Sequence, residues 1–155
     1  MKPEEIMIGD WVNFLIDITG GETEYDSQTT EYQPMQIVSI SAWVNNDGEV
    51  ESAEGVINDI DQVKPISLTP EILEKNGFTG GEYKSWTGDV WYLEEEGFRK
   101  IGLTMSRKES TLWGEKIKPL YPDSIGHKFV VPNIKFVHQL QHALRLCGID
   151  KEITI

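Results

Sequence analysis

The stretch LTPEILEKNGF, Leu68 to Phe78, divides the chain. Thr69 stands where a hydroxyl can cap a helix start. Pro70 suits the first helical position, whose N–H has no partner, and Glu71 meets the positive end of the helix dipole. Asn76-Gly77 then ends the helix, because glycine enters the left-handed region at little cost. This punctuation predicts a short helix, Pro70 to Asn76, anchored by Ile72 and Leu73.

Upstream, everything reads as strand and turn. In IMIGDWVNFLIDI, Gly9-Asp10 makes a turn or bulge before a strand carrying Trp11, Val12, Phe14 and Ile16. A polar, turn-rich segment, Gly20 to Gln33, reads as a long loop or hairpin tip. PMQIVSISAWV resumes the strand pattern, NNDG at Asn45 to Gly48 is a hairpin turn, and EVESAEGVINDIDQVKPI supplies one or two more strands. A helix-free run of short strands predicts a small SH3-like β-barrel over residues 1–66.

Downstream, residues 67–155 read as an antiparallel sheet and a closing helix. Turn signals at Thr87-Gly88-Asp89, Glu96-Gly97 and Arg107 to Glu109 separate runs rich in Trp, Tyr, Ile and Leu. Strands are expected at Lys84–Trp86, Val90–Glu94, Phe98–Met105 and Thr111–Ile117, with one further short strand before the end. On a helical wheel, residues 134–147 place Phe136, Val137, Leu140, Ala143, Leu144 and Cys147 on one stripe. His138, Gln141, His142 and Arg145 fall on the other side, expected to face water. Asn133 is placed to cap this helix and Gly148 to end it. The fold class expected is α+β, the second sheet covered by the C-terminal helix.

His138 and His142 stand four apart, as in the zinc-protease helix, but Gln139 occupies the position where that chemistry needs a glutamate base. An amide takes up no proton at neutral pH. A third metal ligand would have to come from His127 or a carboxylate, with no spacing rule to identify it, and Arg145 one turn along opposes a cation. The pair therefore reads as a polar helix face and a candidate contact surface, with no metal or other cofactor implied. No phosphate-binding, dinucleotide, nucleophile-elbow or C-x-x-C motif is present. Cys147 reads as a packed thiol and Glu94 to Glu96 as a charged hairpin turn. The five tryptophans, Trp11, Trp43, Trp86, Trp91 and Trp113, offer either core packing or a stacking surface; core packing is the commoner use.

With 39% apolar and 10% aromatic residues over 155 positions, the chain can build a core. No apolar run is long enough to span a bilayer, the N-terminal stretch lacks a secretory apolar segment, and there is one cysteine, so a cytoplasmic protein is expected. Charge is unevenly shared. Met1 to Lys64 holds fourteen acidic against two basic residues, a net of −12, whereas Pro65 to Ile155 holds twelve of each. The acidic half repels phosphates and suits a basic protein surface.

Three segments carry a resemblance: IGDWV at Ile8–Val12, VKPISLTPEILEKNGF at Val63–Phe78 and FVHQLQHALRLCGI at Phe136–Ile149. In these the chain resembles a family of small uncharacterised proteins from prophages and mobile elements of anaerobic gut bacteria. The likeness is weak across Gly20–Gln33 and the middle hairpins, and it implies no catalytic residue or ligand. What it implies is an intracellular accessory protein.

The expectation is thus a non-enzymatic protein that binds a basic partner. Its candidate contacts are Glu22, Glu24, Asp26 and Glu31 of the acidic loop, and His138, Gln141, His142 and Arg145 of the helix. One alternative is a nucleic-acid accessory role for Arg99, Lys100, Arg107, Lys108, Lys116 and Lys118, diluted by Glu94–Glu96 and Glu109. The other is an enzyme whose site is assembled from scattered residues.

Overall fold

The computed structural model describes residues 6–18, 29–42, 48–85, 88–105, 110–116 and 127–155. The chain divides into two compact units, Met1–Ile66 and Ser67–Ile155. Both are built on five-stranded antiparallel sheets, so the fold is α+β with most of its regular structure in strands.

Unit 1 contains β1 (Trp11–Ile18), β2 (Thr29–Ala42), β3 (Gly48–Ser52), β4 (Ile57–Asp59) and β5 (Lys64–Pro65), in the order β4-β3-β2-β1-β5. Gly9-Asp10 is the turn its composition suggests. Gly9 has φ +88°, the buried Asp10 carboxylate accepts from the Met7 N–H at 2.8 Å, and the Gly9 N–H donates to the Ile37 carbonyl at 2.7 Å. β2 runs without a break from Thr29. Residues 29–33 are therefore strand, paired with β1 from Ile18↔Thr29 onward, where the sequence reading has loop. Thr30, Glu31 and Gln33 are exposed and so look like loop, while the backbone ladder holds them as strand. A register shift between Ile37 and Ser39 bends β2, so that its first half pairs with β1 and its second with β3. Pro34 lies in the half that has only β1 beside it, where a missing N–H costs no ladder bond.

Inside this sheet, Val12, Phe14, Met35, Ile37, Val50, Ile60 and Val63 form the core. The edge strand β4 also reaches β1 through one side chain. Asn58 Oδ1 accepts from the Leu15 N–H at 2.7 Å, and its Nδ2 donates to the Leu15 carbonyl at 3.1 Å. An amide group thus stands in for a neighbouring strand just beyond the point where β5 pairs with Val12 and Asn13. No backbone ladder closes the sheet among the described residues. The hairpin turn expected at Asn45–Gly48 lies, but for Gly48 itself, outside the described residues.

Unit 2 begins with α1 (Pro70–Lys75), where Thr69 Oγ1 accepts from the Ile72 N–H. Next come β6 (Thr79–Ser85), β7 (Gly88–Leu93), β8 (Phe98–Met105), β9 (Ser110–Lys116), β10 (His127–Val131) and α2 (Val137–Leu146), the sheet having the order β10-β9-β8-β7-β6. Both helices end in the same way. Gly77 and Gly148 are left-handed, and the next residue, Phe78 or Ile149, donates back to Leu73 or Leu144 while burying its side chain.

The C-terminal helix starts later than position 134. Asn133 takes φ +63° and caps nothing; Phe136 is the N-cap, and Gln139 Oε1 accepts from the N–H groups of Lys135 (2.8 Å) and Phe136 (3.3 Å). Ile134 to Phe136 are held extended instead. The Ile134 N–H donates to Ser110, the Leu68 N–H donates to Lys135, and Phe136 bridges to Ser67. At the other end of α2, Lys116 Nζ lies 3.4 Å from the Cβ position of Gly148. The helix therefore runs along β9 on the face that carries Leu112, Leu103 and Ile101, all buried.

Candidate functional site

Strand register fixes what the opposite face of the second sheet presents, because alternate residues point to opposite sides. Across four strands, Tyr92, Gly102, Trp113 and Val130 lie in one row: Tyr92↔Gly102, Gly102↔Trp113 and Trp113↔Val130 are cross-strand partners. The neighbouring row is charged, with Glu115 opposite both Lys100 and Lys128. On the other side of the aromatic row lie Thr104 and Thr111, also paired.

Trp113 is laid flat by its neighbours. A Cβ added at Gly102 would sit 2.3–2.8 Å from three carbons of the indole, so glycine is what lets the ring lie against β8. Its Nε1–H donates to Thr104 Oγ1 at 3.1 Å, which fixes the ring's direction. Tyr92 stands edge-on to it, the ring planes at 87° and the centroids 6.0 Å apart. The Lys100 ammonium lies 4.9 Å from the Tyr92 centroid and 5.3 Å from that of Trp113. Together they form a right-angled aromatic corner with a cation in it.

Two grooves flank Lys100. One, about 270 Å³, is lined by Trp113, Glu115, Lys128 and Val130. The other, about 390 Å³, is lined by Tyr92, Glu94, Glu95 and Phe98. Val130 is 66% exposed, an apolar side chain open to water beside the indole. The face thus joins aromatic and aliphatic side chains to a charged border.

The residues favoured by sequence are distributed otherwise. His138 and Gln141 are buried, at 2% and 1% exposure, against the expectation that they face water. Polar residues on a helix mark its solvent side only when nothing polar or aromatic receives them. Here the Phe136 ring stacks on His138 at 5.8 Å, and His142 meets it edge-on at 6.0 Å. His142 is half-buried and Arg145 exposed, so the four do not form one open contact face. None of the four lacks an interaction. Gln139, in the place of a catalytic glutamate, serves the helix cap. Among the described residues no three of His, Cys, Asp and Glu come together in a set able to hold a metal ion.

Of the acidic loop, Glu22, Glu24 and Asp26 lie outside the described residues, and Glu31 is an exposed strand residue opposite Ile16. The basic set is split by the sheet. Lys100 belongs to the aromatic face, while Lys116 lies on the helix face, beside Gly148 and over the Phe98 ring. Arg99 falls at a register shift in β8, and Arg107, Lys108 and Lys118 lie outside the described residues. Among the tryptophans, Trp91 is core, its ring over Gly80, Trp11 and Trp113 are half-buried, and Trp43 and Trp86 lie outside the described residues. The Trp91 and Trp113 rings both lie over a cross-strand glycine, Gly80 or Gly102, and what separates them is the sheet face: Trp113 shares its face with Lys100, a placement set by strand register and not announced by the sequence. Compared with known proteins, the chain matches no family model, no curated protein and no solved structure.

Proposed function

We propose that this is a non-enzymatic, cytoplasmic accessory protein of phage or mobile-element origin that works by binding another protein. The row Tyr92–Gly102–Trp113–Val130 carries this reading, since it sets the half-buried Tyr92 and Trp113 rings beside the exposed Val130 on one sheet face. The partner is basic: unit 1 carries the whole net charge of −12, which speeds encounter with a positive surface and repels phosphates. Unit 1 itself we read as an SH3-like barrel. Its strand order and the Asn58 bridge from the edge strand β4 to β1 favour a sheet curled almost onto itself.

A nucleic-acid role has Lys100, Lys128 and the Trp113 ring in its favour, but Glu115 stands between the two lysines and the second groove holds Glu94 and Glu95. Affinity capture from a bacterial lysate, washed across a salt series with and without nuclease, tests the choice. A basic protein held at low salt, released at high salt, and lost when Val130 is replaced by Glu is the expected result. Recovery that disappears with nuclease would overturn it.

A further inference from the structure

We propose that the Tyr92–Trp113 corner is a receptor for a guanidinium group of the partner, a place now kept by the protein's own Lys100; this rests on the protein-binding reading above. The corner already holds a cation, with the Lys100 ammonium 4.9 and 5.3 Å from the two ring centroids. The floor is fixed: the indole is set down on Gly102 and tied to Thr104, so binding orders nothing further there. A planar guanidinium stacks on such a ring better than a compact ammonium does, and its fork of donors needs carboxylates nearby. The structure supplies them in the grooves on either side of Lys100, Glu94 and Glu95 in one and Glu115 in the other. Lys100 itself is exposed at the end of a flexible stem and can swing out without disturbing the sheet. An incoming arginine therefore exchanges one cation for a better-fitting one, in a chain whose overall charge selects basic partners.

The role of Lys100 separates this proposal from anion binding, because a competitor and a contact respond oppositely to its removal. The probe is an arginine homopeptide titrated into the intact protein, followed at the Trp113 indole N–H by NMR, with a glutamate homopeptide and single-stranded oligothymidine as parallel probes. Binding of the arginine peptide to unit 1 is common to all variants, so the readout is the difference between variants in the response of that indole. Lys100→Gln is expected to tighten the response at the corner by about two- to fivefold, the size of an exposed cation–π contact. Tyr92→Leu, which keeps the indole probe in place, is expected to weaken it by about as much.

If Lys100→Gln weakens the response, or the glutamate peptide or oligothymidine moves the indole while the arginine peptide does not, the guanidinium assignment is wrong. If capture of a basic partner depends on Val130 while the arginine peptide never reaches the indole, the guanidinium assignment fails and the protein-binding reading stands. If no protein is captured in a Val130-dependent way, that reading fails whatever the peptide does.

Discussion

Adding one methyl group at Gly102 tests how the aromatic face is built. The Cβ introduced by Gly102→Ala would fall 2.3, 2.7 and 2.8 Å from the Cζ2, Cε2 and Cη2 carbons of Trp113. Ordinary carbon contact begins near ~3.5 Å, so the ring must retreat by about 1 Å. Gly102 itself is buried between neighbouring strands and cannot yield, which leaves the indole to tilt away and strain its bond to Thr104. Overpacking of this kind costs about 1–3 kcal/mol, and alanine recovers about 0.5–1 kcal/mol because it orders more cheaply than glycine in a strand. The net expected is a loss of up to about 2.5 kcal/mol, centred on about 1, each kcal/mol lowering the melting temperature by roughly 4–8 °C for a unit of this size. Urea unfolding of Gly102→Ala, followed by circular dichroism, measures it. With Trp113→Leu already in place the clash has no partner, and Gly102→Ala should then be neutral or slightly stabilising. Equal cost in both backgrounds, or an indole resonance unmoved by Gly102→Ala, would refute the steric argument.

Asn58→Ala removes two hydrogen bonds to Leu15 and should cost unit 1 about 2 kcal/mol, measured by chemical denaturation; Asn58→Asp should cost more, since a carboxylate would face the Leu15 carbonyl. Asn76 ties α1 to the chain end, its Nδ2 donating to the Ile72 and Thr154 carbonyls and its Oδ1 accepting from the Thr154 N–H. Asn76→Ala should therefore speed amide exchange at Thr154 well above that of the Leu144 turn. Burial pushes the Cys147 thiol above the usual range, with the Lys116 ammonium only partly opposing the shift. Because the raised value favours the neutral thiol, alkylation should lag a free cysteine through mildly alkaline pH and recover only as pH rises further; Lys116→Gln should slow it again. A Cys147 that reacts as fast as free cysteine at the same pH would contradict this.

Local signals carried the elements they govern and little beyond. Thr69-Pro70 and Asn76-Gly77 mark α1 almost to the residue, because caps and left-handed glycines act within a few positions. The start of α2 could not be read in this way. Asn133 has the right chemistry for a cap, but the backbone bonds of Ile134 to Ser110 and of Leu68 to Lys135 hold that stretch extended, and those partners are remote in sequence. The polar side of the α2 wheel misled for a related reason: Phe136 and His142 give His138 an aromatic setting that composition does not announce. For the aromatic face, its residues are visible in the sequence and their conjunction is not. Tyr92, Lys100, Gly102, Trp113 and Val130 meet through three strand registers, one of them shifted between Phe98 and Lys100, and a one-residue error in any of them would put Tyr92, Trp113 or Val130 on the face opposite Lys100.

Site-specific photocrosslinking tests the central claim most directly. A photoreactive phenylalanine is placed at Val130, on the aromatic face, and in a parallel protein at Glu74, an exposed position on α1. After irradiation in host-type lysate, position 130 should give a discrete adduct with a basic protein, and position 74 none. The claim that this sheet face is the protein's contact surface would be contradicted by an empty lane at position 130, by equal labelling at both positions, or by adducts at 130 that consist of nucleic acid.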